Sequence, residues 1–536
     1  MRHVGRFVDL TKLIFPSLSA SDDQEHDDAT LAESRNHKVN ALDRHTLAFL
    51  EMTRSAIKDW NTKVPTAGSI LAPSHDGVLG TVGLPFGGLT LPSDDEDWPE
   101  QGIVRSATLR ALRSGLFPVV DLDEAWSSRE EARAAFQEML PIPELLSVPN
   151  HHWDEMSSDA AMSRFAFAGL AALRLMPVTV ADADGAAWVS DFTWLGSFPV
   201  REGFERYGAA AYFDVAQRIV RIRWSHGGKD VRPGDPEWAH AKWAWKCTVM
   251  VGTTVSDHLV GVHWLIGNYV TNASRSFMGL DHPIRRLLKP FTWRTVTINY
   301  NATFSLCPER GFVHRTSALT YESLTAAYGA SVGLLRYMTT PQLIARKGAA
   351  GMGDAFPWAT DALALYNVML AFVEDYVGRY YTGDALERDP EVIAFWDSIS
   401  KATATIGIPP LRRANVVAML AQFMWCVTGL HEAVGVLLEY AIDPSFISTK
   451  IRPGREMADV QSSMQCLAVV GLTGLRMPAL LNDFSHVCLD RPGAEAFGSF
   501  QRELVALSER IDRANETRKY PCNTFNPRFL ETGVSV

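Results

Sequence analysis

"SDHLVGVHWLIGNYV" (Ser256–Val270) is an unbroken apolar stretch that carries two histidines, His258 and His263, five positions apart. At ~100° per residue, five steps along a regular α-helix leave two side chains about 140° apart, so they do not converge. A π turn, with i→i+5 pairing, brings them onto one face, and such turns often occur at functional sites. An isolated pair of this kind is more often two unrelated core histidines, so the rest of the chain has to decide between the readings.

A third histidine, His431, lies in the equally apolar "MWCVTGLHEAVGVLLEY" (Met424–Tyr440). Three histidines on two apolar helices, with no CxxC, suggest a redox metal held by imidazoles: iron, copper, nickel or zinc rather than calcium or magnesium. The chain closes on "NPRFLETGVSV" with an apolar last residue, where most termini are polar and frayed. If Val536 is tucked inside, its α-carboxylate becomes available as an anionic oxygen ligand.

The bulk properties agree with a large enzyme interior. The chain has 536 residues, 47% hydrophobic and 21% charged, which describes a globular protein with a big core. A formal charge of −10 argues against a nucleic-acid binder. The six cysteines lack CxxC spacing and read as thiols rather than a disulfide framework or zinc site. "LIFPSLSA" near the start is short and broken by Pro16, a poor signal peptide. No run of 18 or more residues is wholly apolar, so no transmembrane segment is expected, and a cytoplasmic location is the default.

The periodicity predicts a mainly α fold. Residues 18–36 are acidic and polar, 39–60 have helical spacing, and a Gly/Pro-rich loop follows. Short strands are expected in "AWVSDFTWLGSFPV" (187–200) and "AYFDVAQRIVRIRW" (211–224), a small β-containing subregion before residue 235. Beyond Pro236, helices are expected at roughly 238–270, 318–338, 360–381, 390–403, 411–440 and 457–487.

At this point the sequence resembles the lipoxygenases, over roughly residues 150–536. "DHLVGVHWL" is similar to that family's first metal helix and "TGLHEAVG" to the helix giving its third histidine. "WAHAK" (Trp238–Lys242) resembles the Trp-x-x-Ala-Lys lead-in, with a slightly longer spacer, and "DHPIRRLLKP" (Asp281–Pro290) the His-Pro-Ile-x-x-Leu-Leu-x-Pro signature. "TINYNATFSL" matches the segment lining the reaction centre, and "HHWDEMSSDAAMSRFAFAG", "ATDALALYNVMLAFVEDYVGRYY" and "DPEVIAFWDSI" follow the family's order. The resemblance implies a lipoxygenase-like helical catalytic domain over 151–536, around two long metal-bearing helices, with 1–150 a helical and loop region packed on it. No counterpart of the family's N-terminal β-barrel is evident.

The implied ligands are His258, His263, His431 and the carboxylate of Val536, around a non-heme iron, with manganese the alternative. The implied activity is that of a dioxygenase: hydrogen abstraction from the bis-allylic methylene of a polyunsaturated fatty acid, then addition of O2 to give a hydroperoxide. By the same resemblance Ala302 steers oxygen and Leu306, one turn on, clamps the reacting carbon; a monomer is expected. Other readings are a hydroperoxide isomerase, an oxidase of another apolar metabolite, or a non-catalytic relative. The departures cluster at one corner. Gly435 stands where the family has a further side-chain ligand, and Leu438 where a glutamine holds it, so that corner is expected to be open or filled by water. Phe291 and Thr303 also replace family residues.

Overall fold

The computed structural model describes Ser128 and most of residues 157–534, apart from 180–183, 225–227, scattered positions between 294 and 310 and between 436 and 448, and 457–478. The expected region 1–150 (all but Ser128), including the helix at 39–60, lies outside the described residues, as do Thr303, Leu438 and Val536.

Helix α1 (Asp159–Phe167) starts at Ser158, whose hydroxyl accepts from Ala161 N–H at 3.1 Å. A five-stranded antiparallel meander follows: β1 (Leu175–Pro177), β2 (Trp188–Asp191), β3 (Ala209–Phe213), β4 (Ile219–Trp224) and β5 (Lys229–Val231). The strand expected over 187–200 stops at Asp191, because its carboxylate accepts from Thr193 N–H at 2.8 Å and turns the chain into a 3-10 turn.

Helix α2 (Trp238–Gly252) lies across β3 and β4, with the Trp245 ring edge-on to Phe165 and Phe213 at 5.6 and 5.9 Å. Trp238 Nε1 and Lys242 Nζ, one turn apart, both donate to Asp159 Oδ1, at 2.9 and 2.7 Å. The "WAHAK" motif is therefore a clamp between α2 and α1. The chain continues without a break into a π-helical segment, Thr253–Gly267, and then α3 (Asn268–Phe277). Helix α4 (Pro283–Leu288) is capped by His282, whose ring accepts from Ile284 N–H. Helices α5 (Tyr321–Leu334), α6 (Pro357–Tyr380), α7 (Pro390–Ala402) and α8 (Arg413–Trp425) complete the central layer.

Helix α8 runs through a second π turn, Cys426–Leu430, into His431–Gly435. The whole rod, Arg413–Gly435, is long and apolar enough to cross a membrane, but 78% of its apolar window is buried inside the fold. It ends earlier than the 440 expected. The expected helix 457–487 mostly lies outside the described residues, and its described part forms a bridge to Glu531 and a 3-10 turn instead. Helix α9 (Arg491–Asn515) was not expected: its apolar residues form one narrow stripe, Phe497, Phe500, Leu504, Leu507 and Ile511, on an otherwise polar sequence. That stripe packs on α6, with Phe372 stacked on Phe500 at 4.2 Å.

The closing segment threads back through the core. Arg518 makes two 2.7 Å bonds to buried Asp361, and Phe525 stacks on Trp425 at 5.6 Å. Val534 is fully buried against the π-helical segment at Gly267. A Cβ at 267 would lie 2.8 Å from the Val262 carbonyl and 3.0 Å from Val534, so only glycine admits the tail there.

The π-helical segment is braced from outside. Arg174 Nε lies 3.1 Å from both carboxylate oxygens of Asp257, and its Nη2 donates to Ser256 at 2.9 Å. The turn that carries Arg174 is held in turn by buried Lys347, whose Nζ donates to the carbonyls of Ala172, Leu173 and Leu175 at 2.8, 2.6 and 2.8 Å. Burial pushes Lys347 down to about 7, with Arg174 also lowering it. Three carbonyl acceptors nevertheless call for three N–H donors, which only the ammonium form supplies. Lys347→Met keeps the volume but strips these carbonyls of their donor, and should cost roughly 2–4 kcal/mol. A lowered unfolding midpoint checks this; an unchanged midpoint would mean that the brace contributes nothing.

Candidate metal centre

The π-helical winding resolves the spacing of the first two histidines. With i→i+5 pairing, visible where Asn268 N–H meets the His263 carbonyl, His258 and His263 point to one side. His431 comes from the far end of α8, immediately after the second π turn. The three imidazoles converge: His263 Nε2 lies 3.0 Å from His258 Nε2 and 3.1 Å from His431 Nε2. Among the described residues, this is the one group of three or more His, Cys, Asp or Glu whose ligating atoms cluster closely enough to hold a metal ion.

Metal–nitrogen bonds of about 2.0–2.1 Å at right angles put neighbouring nitrogens about 2.9 Å apart, whereas tetrahedral angles put them about 3.4 Å apart. The observed 3.0 and 3.1 Å separations fit right angles at a metal between His263 and each of the other two histidines. Protonation states fit as well. Burial, then the neighbouring imidazoles, hold His258 well below the usual histidine range. Burial, and then His431, bring His263 down to about 3, and burial alone brings His431 to about 4. All three rings are neutral near pH 7, as metal binding requires.

Asn299 fixes which nitrogen of His263 carries the proton. Its amide nitrogen donates to the His263 carbonyl at 2.9 Å, so its Oδ1 faces His263 Nδ1 at 2.8 Å. An amide oxygen only accepts; Nδ1 must therefore carry the hydrogen, leaving the Nε2 lone pair directed at the other two histidines. The sequence reading placed Asn299 in the segment lining the centre but gave it no role. Nothing in its spacing marks it, because its partner lies 36 positions away. His431 is held less tightly: its Nδ1 is buried without a hydrogen-bond partner, and Glu432 Oε1 stands 3.8 Å off.

Gly435 corrects an expectation. Rather than opening a corner for water, its missing side chain makes room for His258: a Cβ there would lie 2.5 Å from His258 Nε2. Ala302 is buried, and the half-buried Leu306 follows one turn on, its N–H donating to the Ala302 carbonyl at 2.9 Å. Both lie just beyond Asn299. Val536 lies outside the described residues, but Val534 brings the tail to Gly267, four positions beyond His263.

The family model for lipoxygenases matches residues 234–442, a range that includes all three histidines. The mouse polyunsaturated fatty acid lipoxygenase ALOX15 is 26% identical over 336 residues, covering 57% of this chain and 50% of the relative. Linoleate 9/13-lipoxygenase of Pseudomonas aeruginosa is 26% identical over 347 residues, with the same coverage. The match thus spans about half the length of these relatives. Among solved structures, a lipoxygenase crystallised anaerobically with arachidonate superposes with a TM-score of 0.72 at 15% identity, over 91% of this chain and 82% of that one. Coral 8R-lipoxygenase gives 0.71 at 15% identity, over 91% and 81%.

Two substitutions probe the centre. Asn299→Leu removes the acceptor that orients His263, and metal affinity should fall by roughly 10–100-fold with the fold intact. Unchanged affinity in a titration with divalent iron would show that the ring is oriented by packing alone. Gly435→Ala forces His258 off its position, and should lower bound metal; full metal content would mean that the ring has another place to sit.

Proposed function

We propose that this chain is a lipoxygenase, a non-heme metal dioxygenase acting on a polyunsaturated fatty acid; the match of residues 234–442 to the lipoxygenase model and the likeness to the fatty-acid lipoxygenases support the reading. The observation that carries the proposal is the convergence of three neutral imidazoles, half-buried His258 with buried His263 and His431, in an apolar interior. In this reading they hold an iron ion, with the carboxylate of Val536 as the anionic fourth protein ligand; manganese is the alternative metal. The metal, when bound, supplies the one-electron chemistry that removes a hydrogen atom from a bis-allylic C–H bond.

The protein's own part is to hold and exclude. Asn299 keeps His263 in the tautomer that presents its lone pair, and Arg174 with Asp257 fixes the backbone beside His258. Ala302 and Leu306 shape the space for the reacting carbon and for O2, and a dry wall protects the radical from side reactions. An isomerase or oxidase reading rested on an open corner at Gly435, and the packing of His258 there removes its support.

His258→Ala, His263→Ala and His431→Ala should each lose bound metal, measured by elemental analysis, together with conjugated-diene formation from linoleate. A C-terminal extension past Val536 should do the same, while an N-terminal tag should not. Stoichiometric metal in any of the three histidine variants would overturn the assignment, and a fully active C-terminally extended protein would remove Val536 from it.

A further inference from the structure

We propose that Glu432 is a positioning residue of the metal centre, holding the ring of His431 by accepting a hydrogen bond from its Nδ1. The inference rests on the reading of the three histidines as metal ligands.

The need for such a partner arises from the chemistry of the ring. A neutral imidazole that directs its Nε2 lone pair at a metal carries its hydrogen on Nδ1. His431 turns Nε2 inward, 3.1 Å from His263 Nε2, so its Nδ1–H faces away from the centre. That nitrogen is buried beyond the reach of solvent and has no hydrogen-bond partner. Metal-ligating histidines nearly always give this hydrogen to a carboxylate, a carbonyl or water, which fixes the tautomer and the ring plane. Asn299 serves His263 in this way at 2.8 Å.

Glu432 is placed to serve His431. Its Oε1 lies 3.8 Å from His431 Nδ1, about 1 Å beyond a normal hydrogen bond. Among the described residues it is the one acid in contact with that ring. No hydrogen bond ties its carboxyl to another described residue, and its side chain is only 17% exposed. A donor without an acceptor therefore stands beside an acceptor without a donor, both largely buried. Consecutive side chains on a helix point about 100° apart, so the approach reflects how the glutamate is folded and not adjacency alone. Glutamate has three rotatable torsions, and turning its end group closes the gap without moving the backbone. Burial raises the carboxyl above the usual range, but the acid and the carboxylate both keep an oxygen that accepts. The bond also makes Nε2, the atom turned toward the other two histidines, a more basic donor.

The test is anaerobic calorimetric titration of the metal-free full chain with divalent iron, alongside thermal unfolding of the same preparations. Glu432→Leu removes the acceptor at similar volume, and affinity should fall roughly 10–100-fold. Glu432→Gln keeps an accepting oxygen in a neutral, weaker bond, and should lose less than about tenfold. The metal-free unfolding midpoint of Glu432→Leu should hold or rise, because a buried carboxyl without a partner is a cost that leucine removes. A lowered midpoint together with lowered affinity would assign Glu432 to packing and overturn the proposal. Equal losses of affinity in the two variants overturn it too. Wild-type affinity in Glu432→Leu overturns it while leaving the centre standing. A wild-type chain that binds no iron overturns the centre itself, and this inference with it.

Discussion

Two imidazoles five residues apart on one helix share a face only if the helix is wound with i→i+5 pairing, and the rest of this molecule is arranged to keep it so. π-helical winding is rare beyond a single turn because its hydrogen-bond geometry gains little over the α form. Here it extends over Thr253–Gly267 and is enclosed on every side. Arg174 grips Ser256 and Asp257 at one end, with Lys347 holding the turn behind it. Asn299 bridges the carbonyl and ring of His263 near the other, and Val534 fills the notch at Gly267. Each brace comes from a different stretch of chain, so the winding is a tertiary property.

That distribution explains what the sequence disclosed. His258 and His263 were legible because their spacing forces a choice between π winding and no relation at all. His431 alone would more often be a satisfied core histidine; it was legible through its company with His258 and His263 and the resemblance of "TGLHEAVG" to the helix that gives the family's third histidine. The braces were not legible. Arg174 and Asp257 are 83 positions apart, Lys347 and Ala172 175 apart, and each has a composition typical of a surface residue until the fold buries it. Helix α9 escaped for the opposite reason: its narrow stripe is correctly periodic, but a search for strongly apolar segments passes over it.

Gly435 shows how a substitution read alone can mislead. A missing side chain beside a metal centre suggests space, and the sequence comparison placed the loss where a ligand had been. In the folded chain that space is taken by a histidine ring, so the absence of a Cβ is a packing requirement of His258. The sequence could identify which side chain is absent but not what moves into its place, because that depends on where a ring from another helix comes to rest.

The electrostatic consequence follows from the same packing. Burial holds all three imidazoles neutral, with His263 near 3 and His431 near 4, so the donors bring no charge of their own. A divalent ion among three neutral nitrogens in a low-dielectric interior leaves two positive charges to be balanced, and an unbalanced buried charge is strongly disfavoured. Glu432 is the nearest carboxylate among the described contacts, but it stands beside Nδ1 of His431, whereas the rings converge at Nε2. An anion delivered on the Nε2 side must come from an element that reaches the π-helical segment from another direction. The closing segment does reach it, with Val534 against Gly267 two residues before the chain ends.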